Sequence, residues 1–156
     1  MTPEFKTARS AAMDRCSRRE TSSADLMTYL YKKGYAKDIA RAVCEEMVAS
    51  NFINDERYAG LWVRAQALRG KGALWIRSKL NEKGIQLSVQ QIKALLQEAT
   101  NVSEEDTARR LIERKYPGAA NDPKIALRAS QMLLRNGYSF DIVRRINARP
   151  NPKSFE

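Results

Sequence analysis

Apolar residues along this chain recur every three or four positions, the spacing of one helix face, and no stretch alternates apolar with polar as a half-buried strand would. Tyr58, Leu61, Trp62, Ala65 and Leu68 form one such row, with Arg57 and Arg64 a heptad apart on another face; Trp62 is expected in the core. Helix starts are marked by polar caps. Asn54-Asp55-Glu56 reads as an N-cap and an acidic first turn. Ser22 with Asp25, Ser88 with Gln91 and Ser103 with Asp106 have capping-box spacing or a close variant. Asp122-Pro123 reads as an N-cap with proline at the first helical position.

The helical pattern also repeats. Residues 26–43, 76–93 and 129–146 each place a leucine four residues before a glycine: Leu30 and Gly34, Leu80 and Gly84, Leu133 and Gly137. Tyr35, Ile85 or Tyr138 follows directly, and Ile39, Val89 or Ile142 stands five after the glycine. This is the pattern of a helix that ends on a left-handed glycine, with the next apolar residue folding back onto it. A further helical segment precedes each pair, at about 5–19, 54–69 and 103–116. The expectation is an all-α fold of three tandem three-helix units, 1–52, 53–100 and 101–148. Each unit is too small to bury a good core alone, so the units should stack into an elongated, curved right-handed or solenoid-like array. Residues 149–156, with Pro150 and Pro152, read as a flexible tail.

Composition narrows the chemistry. The 156 residues contain no histidine, which removes Ser/His and Cys/His catalysis and the commonest metal ligand. Cys16 and Cys44 stand far apart without CxxC spacing, so neither a metal site nor a disulfide framework is supported. No run of 18 or more apolar residues is present, and the N-terminal MTPEFKTARSAAMDR lacks the apolar core of a signal peptide. A soluble cytoplasmic protein with reduced thiols, away from membranes, is the expectation. With no heptad run, a monomer is the default.

The net charge is +10, and it is uneven. The first 56 residues balance, nine basic against nine acidic. Arg57 to Lys83 holds seven basic residues and one acid, Glu82; Arg109 to Lys153 holds eleven basic and three acidic. A polyanion or an acidic protein surface is the natural partner of such a field. The set Arg57, Arg64, Arg69, Lys71, Arg77, Lys79 and Lys83 is either a solvated helix surface or a contact for phosphates or carboxylates. It lacks the interleaved aromatics of a single-strand stacking platform. Within it, Gly70-Lys71-Gly72 has neither the spacing nor the preceding strand of a phosphate-binding loop. Gly70 is expected to end one helix and Gly72 to permit the tight turn into the next. Trp75, with Leu74, sits at the margin or outside of the inward row of Ile76 and Leu80, placed either to pack against the preceding unit or to anchor a partner. Glu45-Glu46, Asp55-Glu56 and Glu104-Glu105-Asp106 fall near helix ends or on exposed faces and build no catalytic pair. No catalytic residue, cofactor or metal is assigned.

Asn51-Phe52-Ile53-Asn54-Asp55-Glu56-Arg57-Tyr58-Ala59 resembles the RecX family of bacterial recombination regulators. The resemblance continues through Arg69-Gly70-Lys71-Gly72, Ile76-Arg77, Leu80 and Lys83-Gly84-Ile85, and through Ser17-Arg18-Arg19-Glu20 with Leu26, Leu30 and Lys33-Gly34-Tyr35. It implies three repeated three-helix units and a non-enzymatic partner of the RecA recombinase. Such a protein lodges along the RecA–DNA filament and inhibits ATP hydrolysis, strand exchange and coprotease activity; some members also bind DNA directly. The sequence departs from the family at Ala73, Leu74, Trp75 and Lys79, where proline, two polar or basic residues and an acid are usual. The residues expected to contact RecA or DNA are Arg57, Arg64, Arg69, Lys71, Arg77, Lys79 and Lys83, with Arg144 and Arg145 in the third unit. The rival expectation is a general DNA-binding helical protein that acts without RecA.

Overall fold

The computed structural model describes residues 1–148; the stretch read as a flexible tail, 149–156, lies outside the described residues. Among the described residues there are nine helices and no strand. They are α1 (Pro3–Arg18), α2 (Ser23–Lys32), α3 (Lys37–Ala49), α4 (Asp55–Leu68), α5 (Ala73–Glu82), α6 (Val89–Thr100), α7 (Glu104–Lys115), α8 (Pro123–Arg135) and α9 (Phe140–Ala148).

The caps fall where the side chains place them. Ser22 and Ser103 accept from the Asp25 and Asp106 amides at 3.1 Å each. Ser88 and Gln91 form a full capping box, and Asn54 Oδ1 accepts from the Arg57 amide at 3.0 Å. Asp122 caps α8, with Pro123 in its first turn. Each cap satisfies one amide that the helix itself cannot. The glycine stops also form. The Gly34 amide donates to Tyr31 O at 2.9 Å and the Tyr35 amide to Leu30 O at 3.2 Å. Gly137 and Tyr138 repeat the pattern onto Leu134 O and Leu133 O at 3.1 and 3.0 Å. These are the paired bonds of a Schellman ending, with both glycines at positive φ.

The described residues form two compact units: Met1–Leu61 with Lys83–Ile85, and the remainder. The cut falls inside α4 rather than between repeats. The first unit packs Ala8 and Ala12 of α1, Leu26 and Leu30 of α2, and Ala40, Val43, Cys44 and Met47 of α3 around one core with Ile53. Each fully buried leucine contributes about 1.5–3 kcal/mol of transfer free energy. Cys16 and Cys44 are free thiols; burial pushes both above the ordinary cysteine range. In the second unit, Ala108 and Leu111 of α7, Met132 and Leu133 of α8, and Ile142 and Val143 of α9 close around Tyr138.

Helix α4 corrects one expectation. Leu61 and Leu68 point outward, 51% and 80% exposed, and Ala65 is exposed as well. The buried row is Ala59, Val63, Gln66 and Ala67. The helix is thus turned by one position, roughly 100°, from the row that the larger side chains suggested. Trp62 and Tyr58 end up half-buried at the border of the row.

Candidate partner-binding surface

Most of the sequence-assigned cations flank the α4–α5 turn, so the construction of that turn decides what they can do. Helix α4 stops at Gly70, in the left-handed region at φ +78°; the Gly70 amide donates to Ala67 O at 3.0 Å and the Lys71 amide to Gln66 O at 3.2 Å. Gly72 has no such conformational need. A Cβ there would lie 2.7 Å from the carbonyl carbon and oxygen of Gly137 and 2.8 Å from Tyr138 N. Gly72 is therefore required for close backbone approach, not for the tight turn that spacing suggested. Three hydrogen bonds fix this clasp. The Gly72 amide donates to Asn136 O at 2.7 Å, the Leu74 amide to Gly137 O at 3.0 Å, and the Tyr138 hydroxyl to Gly70 O at 3.0 Å. Burial and the nearby Glu104 charge push the Tyr138 phenol well above its ordinary range.

Helix α5 has no cap of its own. Its first amide, Ala73, donates to Glu104 Oε1 at 2.8 Å, so a carboxylate from α7 sits at the positive end of α5. The Glu104 side chain is 8% exposed, with Lys93 Nζ 3.9 Å from its other oxygen. The acidic run does open a helix, as expected, but the Glu104 side chain is buried there and its neighbour Glu105 is half-buried and pairs with Arg109 at 3.1 Å, so neither lies on an exposed face. The amides of residues 70 to 74 all donate within the chain. An anion cradle needs free amides pointing at the ligand, so Gly70-Lys71-Gly72 is not one.

The assigned side chains fall into distinct situations. In the first unit Arg57 is already engaged: its Nε meets Glu20 Oε1 at 2.7 Å and its Nη2 donates to Phe52 O at 3.3 Å. Lys83 lies 3.4 Å from Asp25 Oδ2 and 5.6 Å from the centre of the Tyr58 ring. Burial alone would lower its pKa, but Tyr58 and the Asp25 charge together raise it above the ordinary lysine value. In the second unit Lys71 donates to Asn136 Oδ1 at 3.3 Å and sits 4.8 Å from the Trp75 ring centre. Lys79 is 5.8 Å from the same ring and 3.5 Å from Glu82. Trp75 stacks on Trp62, the rings 6.0 Å apart and 4° from parallel, so its aromatic partner comes from its own repeat and not from the preceding unit. Arg64, Arg69 and Arg77 are exposed and have no ion pair or hydrogen-bonded side chain among the described residues. Arg144 pairs with Asp141, and Arg145 reaches Asp141 O at 3.3 Å and Glu105 Oε2 at 3.9 Å. The sequence reading passed over Lys124, Arg128 and Arg135, all exposed on α8; their separations of four and seven residues put them on one side of that helix. It also passed over the exposure of Leu68, because an apolar residue at helical spacing ordinarily reads as core; Leu74, expected at the margin or outside, is 43% exposed.

Models of the first, second and third three-helix domains of RecX match residues 8–47, 54–90 and 103–146. The regulatory protein RecX of Mycolicibacterium smegmatis is 32% identical over 136 residues, 80% of this chain and 71% of the relative. This chain belongs to the RecX family. A second RecX regulatory protein, from Halorhodospira halophila, is 30% identical over 140 residues, 89% of this chain and 85% of its own length. The crystal structure of RecX from Lactobacillus salivarius shares the fold, with a TM-score of 0.77 at 21% identity over 94% of this chain and 96% of that one. The tandem all-α architecture is therefore that of RecX. Among the described residues no group of histidine, cysteine and carboxylate side chains could hold a metal ion, and no helix is long and apolar enough to cross a membrane.

Proposed function

We propose that this chain is a non-enzymatic negative regulator of the RecA recombinase. It binds along the RecA–DNA filament and inhibits ATP hydrolysis, strand exchange and coprotease activity. The observation that carries this reading is family membership through all three repeats, with relatives named as regulatory proteins. Three repeats of 1–52, 53–100 and 101–148, carried on a monomer in the cytoplasm, would each offer a modest contact. Contacts linked in one chain reinforce one another through effective concentration. Stronger binding to one filament state than to another shifts the population with no bond made or broken. The exposed arginines Arg64, Arg69 and Arg77 are the best-placed contact cations, because Arg57 and Lys83 already hold internal carboxylates.

The test is DNA-dependent ATP hydrolysis by the cognate RecA, titrated with this protein at fixed salt, with and without excess single-stranded DNA. Inhibition well below one molecule per RecA, unrelieved by added DNA, is expected. Inhibition that vanishes as bare DNA is added would replace this reading with simple competition for DNA. Charge reversal at Arg64, Arg69 and Arg77 should weaken inhibition at least tenfold while the fold is retained; full inhibition by that variant would remove these arginines from the contact. The α8 row of Lys124, Arg128 and Arg135 favours the second reading, direct DNA binding. It predicts a loss of nearly one unit of log K per neutralised phosphate for each tenfold rise in salt.

A further inference from the structure

The α4–α5 corner combines features that phosphate binding does not require. Leu68, the last residue of α4, is 80% exposed, and Leu74, in the first turn of α5, is 43% exposed. Arg64 lies one turn before Leu68, Arg69 directly follows it, and Arg77 lies one turn after Leu74; all three are exposed and without a carboxylate partner among the described residues. No aspartate or glutamate occurs from residue 57 to residue 81, so this segment carries no acid of its own to neutralise them. The corner is also rigid: its turn is held by Asn136, Gly137 and Tyr138 on one side and capped by Glu104 on the other.

We propose that this corner is a docking surface for an amphipathic helix of a partner protein, one whose apolar row is bordered by carboxylates. Leu68 and Leu74 are the apolar anchors, and Arg64, Arg69 and Arg77 are the cations that meet the flanking acids. Three arguments favour this occupant over a nucleic acid backbone. Exposed leucines gain nothing from a phosphate chain, whereas an apolar helix face buries them. The three cations are all arginine, which is enriched at protein interfaces where lysine is depleted. Finally, a surface fixed before binding loses little conformational freedom when the partner arrives. The proposal deepens the RecA reading by giving that contact a chemistry, and it also stands for a different protein partner.

The probe is a labelled 18-residue helical peptide with leucines along one face and glutamates on both sides, followed by fluorescence anisotropy on the full-length protein. A scrambled peptide of identical composition and an oligo-dT of similar length are measured alongside. The amphipathic peptide should bind at least tenfold tighter than the scrambled one. Leu68→Ser and Leu74→Ser should each weaken it several-fold, and the pair at least tenfold, leaving oligo-dT binding unchanged. Both leucines are exposed, so these variants keep the native circular dichroism spectrum. Equal binding of the two peptides, or full peptide binding by the double serine variant, would overturn the proposal. So would a parallel loss of oligo-dT affinity, which would make the corner a nucleic acid surface. RecA inhibition by the unmodified protein reports separately: if it is absent while the peptide result holds, the RecA reading fails and the docking surface stands.

Discussion

The turn Lys33-Gly34-Tyr35 in the first repeat and the turn Asn136-Gly137-Tyr138 in the third share sequence pattern, φ sign and hydrogen bonds. Their surroundings are opposite. A Cβ on Gly34 would meet nothing within 4 Å, while one on Gly137 would fall 2.3 Å from Trp75 N and 2.4 Å from Trp75 Cβ. Tyr35 is half-exposed; Tyr138 is 1% exposed with its hydroxyl on Gly70 O. The same local signal thus serves a helix stop in one repeat and a tertiary clasp in the other. The first need is conformational and modest in cost. The second is steric and large.

Substitutions rank the two turns. Gly137→Ala should be the most damaging: left-handed strain of about 1–2 kcal/mol adds to an overlap that forces Trp75 backbone to move, for a loss above ~4 kcal/mol. Both tryptophans belong to the second unit, so urea unfolding followed by their fluorescence reads this directly. A loss below ~2 kcal/mol would mean the clasp gives way easily. Tyr138→Phe should cost about 1–3 kcal/mol by leaving the Gly70 carbonyl without a donor. It should also change the pH response. The folded phenol is pushed up, so its contribution is complete below the unfolded tyrosine pKa of about 10 and is lost as pH rises beyond it. Phenylalanine at 138 should flatten that alkaline loss, and an unchanged profile would rule Tyr138 out as its source. Gly34→Ala should cost only the left-handed strain, about 1–2 kcal/mol, seen as faster amide exchange in α2 and α3; a loss equal to that of Gly137→Ala would erase the distinction. Tyr35→Phe should be the smallest effect, within about 0.5 kcal/mol. A larger loss would show that Tyr35, too, has a tertiary role.

This difference also marks what was legible in the sequence. Caps at Ser22, Asn54, Ser88, Ser103 and Asp122, and stops at Gly34, Gly70 and Gly137, depend on residues a few positions apart, so their spacing exposes them. The reason for Gly72 lies in Gly137, and the cap of α5 lies in Glu104, 31 residues from Ala73. No local spacing contains either relation. The α4 row failed for a different reason: Leu61 and Leu68 compete with Val63 and Ala67 at the same helical period, and only the packed neighbour selects between the faces. The basic character of residues 57–83 was plain, but its division into engaged and free cations was not. That division rests on Glu20 and Asp25, which lie in the first repeat.

The clasp has a consequence for how the chain is made. Lys71 and its partner Asn136 are 65 residues apart. At a synthesis rate of about 5–20 residues per second, the Gly70–Gly72 turn waits roughly 3–13 seconds on the ribosome before its partners emerge. Through that interval the Gly72 and Leu74 amides and the Gly70 carbonyl can be satisfied only by water. A chain that stops after the second repeat stays in that condition permanently. The middle repeat, which carries the longest acid-free stretch of cations, acquires its finished shape only when the last one is complete.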